Sequence, residues 1–234
     1  MKKSFLIMAT LAMALVSCSE PAQPLAIDNA LTEAEIAAAR LTPEVMWKMT
    51  RIGQQTLSPD GTQLIYTTTQ YNMEENRGIT LLWLRDMAAG EQRALTDYNS
   101  TNTAPQWLGN NRVAFMSNRS GSMQAWAMDI NGENLTQLTN IEGGIEGFGI
   151  EGDHAFYVQR VEVAKLKGSN KYEDMDKSKV RIYDDLMVRH WDYWDDGSYL
   201  HIFAADYKDG KIVDGVDIIG ADKAYDAPLA PYFD

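Results

Sequence analysis

A chain of 234 residues with 33 Asp and Glu against 21 Lys and Arg carries a formal net charge of -12. That balance, with the basic residues scattered, excludes a nucleic-acid partner, because phosphate binding needs clustered Lys and Arg. The single cysteine excludes an internal disulfide, so the fold must stand on its packing.

The first 18 residues read as a targeting segment. Lys2 and Lys3 form a positive start, and the apolar run from Phe5 to Val16 is too short to span a bilayer. Leu15-Val16-Ser17-Cys18 has the form of a bacterial lipobox, so Cys18 is the expected lipidation site and the membrane the expected anchor. The expected location is the bacterial cell envelope, as a periplasmic or outer-membrane lipoprotein. Residues 19–40 then read as a tether with a short helix. Pro21 and Pro24 interrupt any periodic pattern, and Thr32-Glu33-Ala34-Glu35 has capping-box form for a helix over Glu33 to Arg40. Thr42 and Pro43 predict the start of a second helix, running to Met49.

From residue 41 to 234 the pattern is one incomplete β-propeller domain. Leu57-Ser58-Pro59-Asp60-Gly61 is a turn: Pro59 presets φ, Asp60 bonds nearby backbone, and Gly61 accepts a positive φ. Strands follow at Gln63 to Gln70, Ile79 to Asp86 and Gln92 to Thr96, the first two joined by a hairpin containing Asn76 and Gly78. A second copy has its turn at Trp107 to Asn111 and strands at Arg112 to Ser117, Gln124 to Asp129 and Leu135 to Thr139. Trp83 and Trp126 are 43 residues apart, as are Asp86 and Asp129, so the two copies share one register. A third copy opens at Ile150 to Asp153 and continues in His154 to Val158, then breaks off into a polar insertion over Lys165 to Lys179. A helix is expected over Ser178 to Trp191, a strand over Tyr199 to Asp206, and a connecting loop over Ala224 to Asp234. The fold class is therefore all-β, three to four blades of four-stranded sheet with a short helical insertion. A propeller closes with roughly 4 to 8 blades, so the reading is of the front part of something longer.

Leu41-Thr42-Pro43-Glu44-Val45-Met46-Trp47, leading through Arg51-Ile52-Gly53 to Ser58-Pro59-Asp60-Gly61, resembles the entry to the propeller of prolyl-oligopeptidase-family serine peptidases. Asp184-Asp185-Leu186-Met187-Val188-Arg189-His190-Trp191-Asp192-Tyr193-Trp194 is a second and more specific match, similar to the dipeptidyl-peptidase 5 and acylaminoacyl-peptidase group. The resemblance implies a propeller that restricts a serine exopeptidase to short peptide substrates. It also implies a hydrolase domain with a Ser-Asp-His triad, yet no Gly-x-Ser-x-Gly elbow occurs in these residues. No catalytic residue is therefore assigned, the chain alone is expected to be inactive, and no cofactor or metal is expected.

His190 sits among Arg189, Asp192, Asp195 and Asp196. On the expected helix His190 faces Leu186 and Met187, which argues against a metal cluster and leaves packing or substrate contact. Asp184, Asp185 and Asp192 are candidates for holding the charged amine of a peptide substrate, against a plainer role for the two adjacent aspartates at a helix start. With Arg189 and His190 they form the candidate substrate-binding set. His154 and His201 read as structural or solvent-facing, and Trp83, Trp107 and Trp126 as propeller core. The other reading of the whole is a non-catalytic TolB-like binding lipoprotein, which shares the Ser-Pro-Asp-Gly turn but has no need of the segment from 178 to 203.

Overall fold

A computed structural model describes residues 27–163, 182–183, 188–190 and 193–222. Two short helices come first, α1 (Glu33–Ala38) and α2 (Pro43–Lys48). Each starts where its cap predicts: Glu35 N donates to Thr32 Oγ1 at 3.2 Å and Val45 N to Thr42 Oγ1 at 3.3 Å. Lys48 Nζ donates to Glu35 at 2.9 Å and clips the two helices together.

Three four-stranded antiparallel sheets follow. Blade 1 is β1 (Arg51–Leu57), β2 (Gln63–Asn72), β3 (Arg77–Asp86) and β4 (Gln92–Ala94), in chain order. Blade 2 repeats this order with β5 (Asn102–Trp107), β6 (Arg112–Ser117), β7 (Gln124–Asp129) and β8 (Thr136–Gln137). Blade 3 begins with β9 (Gly147–Glu151) and β10 (His154–Glu162) and, beyond the insertion, is completed by β13 (Ser198–Lys208) and β14 (Lys211–Asp217). Between them lies a small hairpin, β11 (Arg189–His190) with β12 (Tyr193–Trp194).

The opening turn forms as its residues dictate. Gly61 takes φ 73°, its N–H donates to Ser58 O at 2.9 Å, and Asp60 Oδ1 accepts from Thr62 N at 3.0 Å. The Ser58 hydroxyl and the two Thr62 donors hold the Asp60 carboxyl below its usual range.

Each blade adds a first strand that local patterning does not announce. β1 and β5 carry few apolar residues and share a two-residue irregularity, at Ile52/Gln55 and Thr103/Gln106. Pro105 sits inside the second of these, where a missing N–H costs no ladder bond. Two bonds join these strands, Ala104 N to Gln54 Oε1 at 2.6 Å and Trp107 Nε1 to Thr56 O at 3.1 Å, and a third, Asp60 N to Asn110 Oδ1 at 3.2 Å, joins the turns that follow them. Gln106 continues the series into blade 3, exchanging both amide bonds with the backbone of Ile150.

Two corrections follow. The strand expected at Tyr199 to Asp206 pairs with β10 residue for residue, from Glu162↔Ser198 to His154↔Asp206, so it belongs to blade 3. The insertion defers the strand pairing without breaking the blade. The helix expected over 178–191 lies mostly outside the described residues, but its last part is wrong: Arg189 and His190 are strand, paired with Trp194 and Tyr193.

The core lies between blades. Ile65, Leu82 and Leu84 of blade 1 pack against Val113, Phe115 and Met128 of blade 2. Ala114, Met116, Ala125 and Ala127, on the opposite face of blade 2, pack against Ala155, Tyr157 and Ala205 of blade 3. This is the period-two alternation of strands buried on both faces. One feature repeats in all three blades: an aromatic pair across the second and third strands, Tyr66↔Trp83, Phe115↔Trp126 and Tyr157↔Phe203. The first stacks at 6.4 Å and the last at 4.8 Å between ring centroids.

Candidate functional site

The second and third strands of each blade are joined by residues 73–76, 118–123 and 163–197. Because the first strands run in the same direction, these connections leave the blades at one common end, the hairpin end. The insertion with the peptidase-like segment therefore shares an end with the two short hairpins.

The hairpin end carries one arginine on an aromatic surface per blade. Arg51 lies 4.4 Å from the Tyr71 ring centroid and 5.2 Å from that of Trp47. Arg119 lies 5.2 Å from the Phe115 ring and 5.3 Å from Trp126. Arg189 lies 5.5 Å from Trp194. Stacking uses the guanidinium face and leaves the N–H edge for carboxylate or carbonyl groups, so the arrangement places cations at one end of an acidic chain.

Arg119 is the most constrained of the three. Its Nε donates to Ser117 Oγ at 3.0 Å and Nη2 to the buried Asn102 Oδ1 at 2.9 Å. Burial pulls its pKa below the usual arginine value and Asp97 opposes that shift. Arg119 also changes what its neighbour can do. In blade 1, Trp83 Nε1 donates to Thr68 Oγ1 at 2.8 Å. Ser117 stands at the matching place in blade 2, but its hydroxyl serves Arg119, and Trp126 Nε1 finds no hydrogen-bond partner among the described residues. Arg51 Nη1 is likewise buried and unpartnered there.

Of the expected substrate-binding set, Asp184, Asp185 and Asp192 lie outside the described residues. Arg189 is exposed on the small hairpin beside Trp194, and His190 is placed in β11 opposite Tyr193. Tyr183 stacks on Trp194 at 6.5 Å and its hydroxyl donates to Asp195 O at 2.6 Å, which ties this hairpin to the earlier part of the insertion. Asp195 and Asp196 form the expected turn: Gly197 N donates to Asp195 Oδ1 at 2.9 Å and Ser198 N to Asp196 Oδ1 at 3.0 Å. Burial would raise the Asp196 carboxyl, but the two Ser198 bonds and the charge of Arg160 outweigh it and lower it.

His154 is exposed, while His201 is fully buried and lies 2.8 Å from Asp217, so it is structural and not solvent-facing. Arg51 and Arg119 were missed in the sequence, where each is one cation in a loop or strand start with nothing to set it apart. Among the described residues no three His, Cys, Asp or Glu side chains gather as a metal site, and no helix is long and apolar enough to cross a membrane. An open cleft of about 560 Å³ runs between β8 and β14, lined by Gln137 to Ile141 and Lys211 to Gly215. It lies at the outer rim, and Lys211 Nζ there donates to Gln137 O at 2.6 Å.

No family model matches the chain. Among curated proteins it is 36% identical over 195 residues to dipeptidyl-peptidase 5 of Porphyromonas gingivalis, covering 82% of this chain and 28% of that protein. It is 29% identical over 210 residues to dipeptidyl-peptidase 5 of Porphyromonas endodontalis, covering 88% of this chain and 30% of the relative. The chain thus spans less than a third of the length of these relatives. Among solved structures, the acylaminoacyl peptidase of Pyrococcus horikoshii matches with TM-score 0.53 at 13% identity, over 74% of this chain and 25% of that one, a likeness of fold. Three blades in sequence order, the insertion in the third and these matches agree: the chain is a propeller portion homologous to the dipeptidyl-peptidase 5 group of prolyl-oligopeptidase-family peptidases.

Proposed function

We propose that these blades belong to a secreted, lipid-anchored serine exopeptidase of the dipeptidyl-peptidase 5 type, in which they restrict access to short peptides. The observation that carries this reading is the 36% identity to a dipeptidyl-peptidase 5 over 82% of the chain. The hairpin end supports it chemically. Arg51, Arg119 and Arg189 stand there on aromatic surfaces, and the exposed Arg189 beside Trp194 presents donors suited to peptide carbonyls and carboxylates. The insertion adds Asp184, Asp185 and Asp192, whose carboxylates suit a substrate amine. Cys18 carries the lipid and holds the molecule to the cell envelope.

A chimaera tests the reading. Residues 41–234 replace the matching segment of the P. gingivalis enzyme, and release of dipeptides is compared with hydrolysis of a long unfolded polypeptide. The expected result is dipeptide release with the long substrate still excluded. A folded chimaera that cuts both equally, or neither, overturns it. For the anchor, a bacterium expressing the chain is fed a labelled fatty acid. Label should enter the protein and be lost in Cys18→Ser; label retained in that variant removes the lipid assignment.

A further inference from the structure

Tyr157 is a core residue with one group left unsatisfied. Its ring stacks on Phe203 of β13 at 4.8 Å and reaches outward, so that its hydroxyl lies over Gly215 of β14. The residue is only 6% exposed, yet the hydroxyl has no hydrogen-bond partner among the described residues. It faces the cleft between β8 and β14. Burial, and after it the charge of Asp217, raise its pKa above the usual phenol value and keep it a donor.

The backbone is shaped around that hydroxyl. β14 bulges there: Ala204 pairs with Val216 and Asp206 with Val213, which leaves Asp214 and Gly215 opposite one residue. Asp214 is held at φ 57°, a costly conformation for a residue with a side chain, and a Cβ at Gly215 would collide with the Tyr157 hydroxyl and ring. β14 is also an edge strand. Ile212 N donates away from β13, to Leu138 O at 2.9 Å, so the open ladder side of this edge adjoins the cleft. Leu138, Ile141 and Val213 add apolar lining, while Lys211 and Asp214 balance in charge. Both walls belong to blades whose four strands are all described, so the cleft does not arise from an absent neighbour.

We propose that this cleft binds an extended peptide segment with small aliphatic side chains, laid as an added strand along the open edge of β14, one of its backbone carbonyls accepting from the Tyr157 hydroxyl. A lining without net charge suits a peptide backbone better than an ion, and about 560 Å³ is the size of a small-ligand site. The inference stands on the cleft alone and does not rest on the peptidase reading.

Calorimetric titration of the full chain, purified as Cys18→Ser so that no acyl group contributes, with the capped peptide acetyl-Val-Thr-Val-Thr-Val-amide tests it. The expected result is one peptide bound per chain. Tyr157→Phe should weaken binding about tenfold, the loss of one hydrogen bond, and leave the melting temperature where it was, because the hydroxyl has no partner within the described chain. Two further probes carry N-methyl groups, one on its valines and the other on its threonines. One should lose binding and the other keep it, since an edge strand pairs with alternate residues of an added strand. No binding of the parent peptide at millimolar concentration, equal binding by Tyr157→Phe, a melting temperature lowered in that variant, or equal binding of the two methylated probes overturns the proposal.

Discussion

Nδ1 of His201 lies 2.8 Å from Oδ2 of Asp217, with the imidazole wholly buried and the carboxylate nearly so. Asp217 also accepts from Ile219 N at 2.9 Å and Gly220 N at 3.2 Å, so one carboxylate closes the turn after β14 and holds it against β13. Burial raises the pKa of Asp217, and the bonds from His201 and the two backbone amides outweigh it, so the carboxyl titrates below its ordinary 3.8. A lowered folded-state pKa means the stabilisation is complete above the unfolded value and is lost as pH falls through the folded one. Thermal melts from neutral to acid pH should therefore show a loss setting in below about pH 4, and Asp217→Asn should remove part of that dependence. Asp217→Ala should cost about 3 kcal/mol at neutral pH, since it removes the acceptor shared by Nδ1 of a buried imidazole and two backbone amides. An unchanged melting temperature in Asp217→Ala would show that the turn does not need the clasp.

Phe115 is fully buried between blades 1 and 2, in the cluster with Ile65, Leu82 and Val113. Phe115→Ala should destabilise the chain by about 3–5 kcal/mol in urea unfolding, with cavity and transfer terms both contributing. It also removes one of the two rings under Arg119, so Arg119→Ala on top of it should cost less than in the parent chain. Strict additivity of the two would mean that the stacking carries no energy.

Gly144 takes φ 91°, and a Cβ there would stand 2.9 Å from the Met123 carbonyl oxygen. Neither partner can give way cheaply, because Ile145 N donates to that same oxygen at 2.8 Å and so holds the segment leading into blade 3 against the hairpin of blade 2. Gly144→Ala combines left-handed strain with a backbone collision and should cost about 2–3 kcal/mol. Gly109, at φ 78° with open space around it, is the control: Gly109→Ala should cost about 1 kcal/mol from conformation alone. Equal losses at the two positions would rule out the collision.

Thr68 and Ser117 occupy matching places but serve different donors, Trp83 in one blade and Arg119 in the next. Thr68→Val keeps the shape and strands the Trp83 indole, for an expected loss of about 1–2 kcal/mol. Arg119→Met frees the Ser117 hydroxyl for Trp126, so its cost should rise when Ser117→Ala is added. A double variant no less stable than Arg119→Met would show that Trp126 does not take up the vacated acceptor.

The local turns and the repeat were legible because their causes are local. Thr32 and Thr42 cap helices through bonds three residues away, and Gly61 closes its turn through a conformation that only its own backbone needs. The 43-residue spacing of Trp83 and Trp126 survives because both occupy the same place in the blade. Other features depend on partners far along the chain. β1 and β5 have no strand periodicity of their own and become strands by pairing with β2 and β6. β13 is recruited to β10 across the insertion, and His201 is buried because that pairing sets it beside Asp217.

Composition, turn residues and spacing by themselves determined an acidic, all-β repeat, because repetition and turn chemistry are written in neighbouring residues, and the motifs at 41–61 and 184–194 carried the resemblance to a peptidase propeller. Only the tertiary structure decided which face of each strand meets a neighbouring blade and that three arginines share the hairpin end. Those outcomes come from sheet pairing and blade stacking, which act between residues that the chain order keeps far apart.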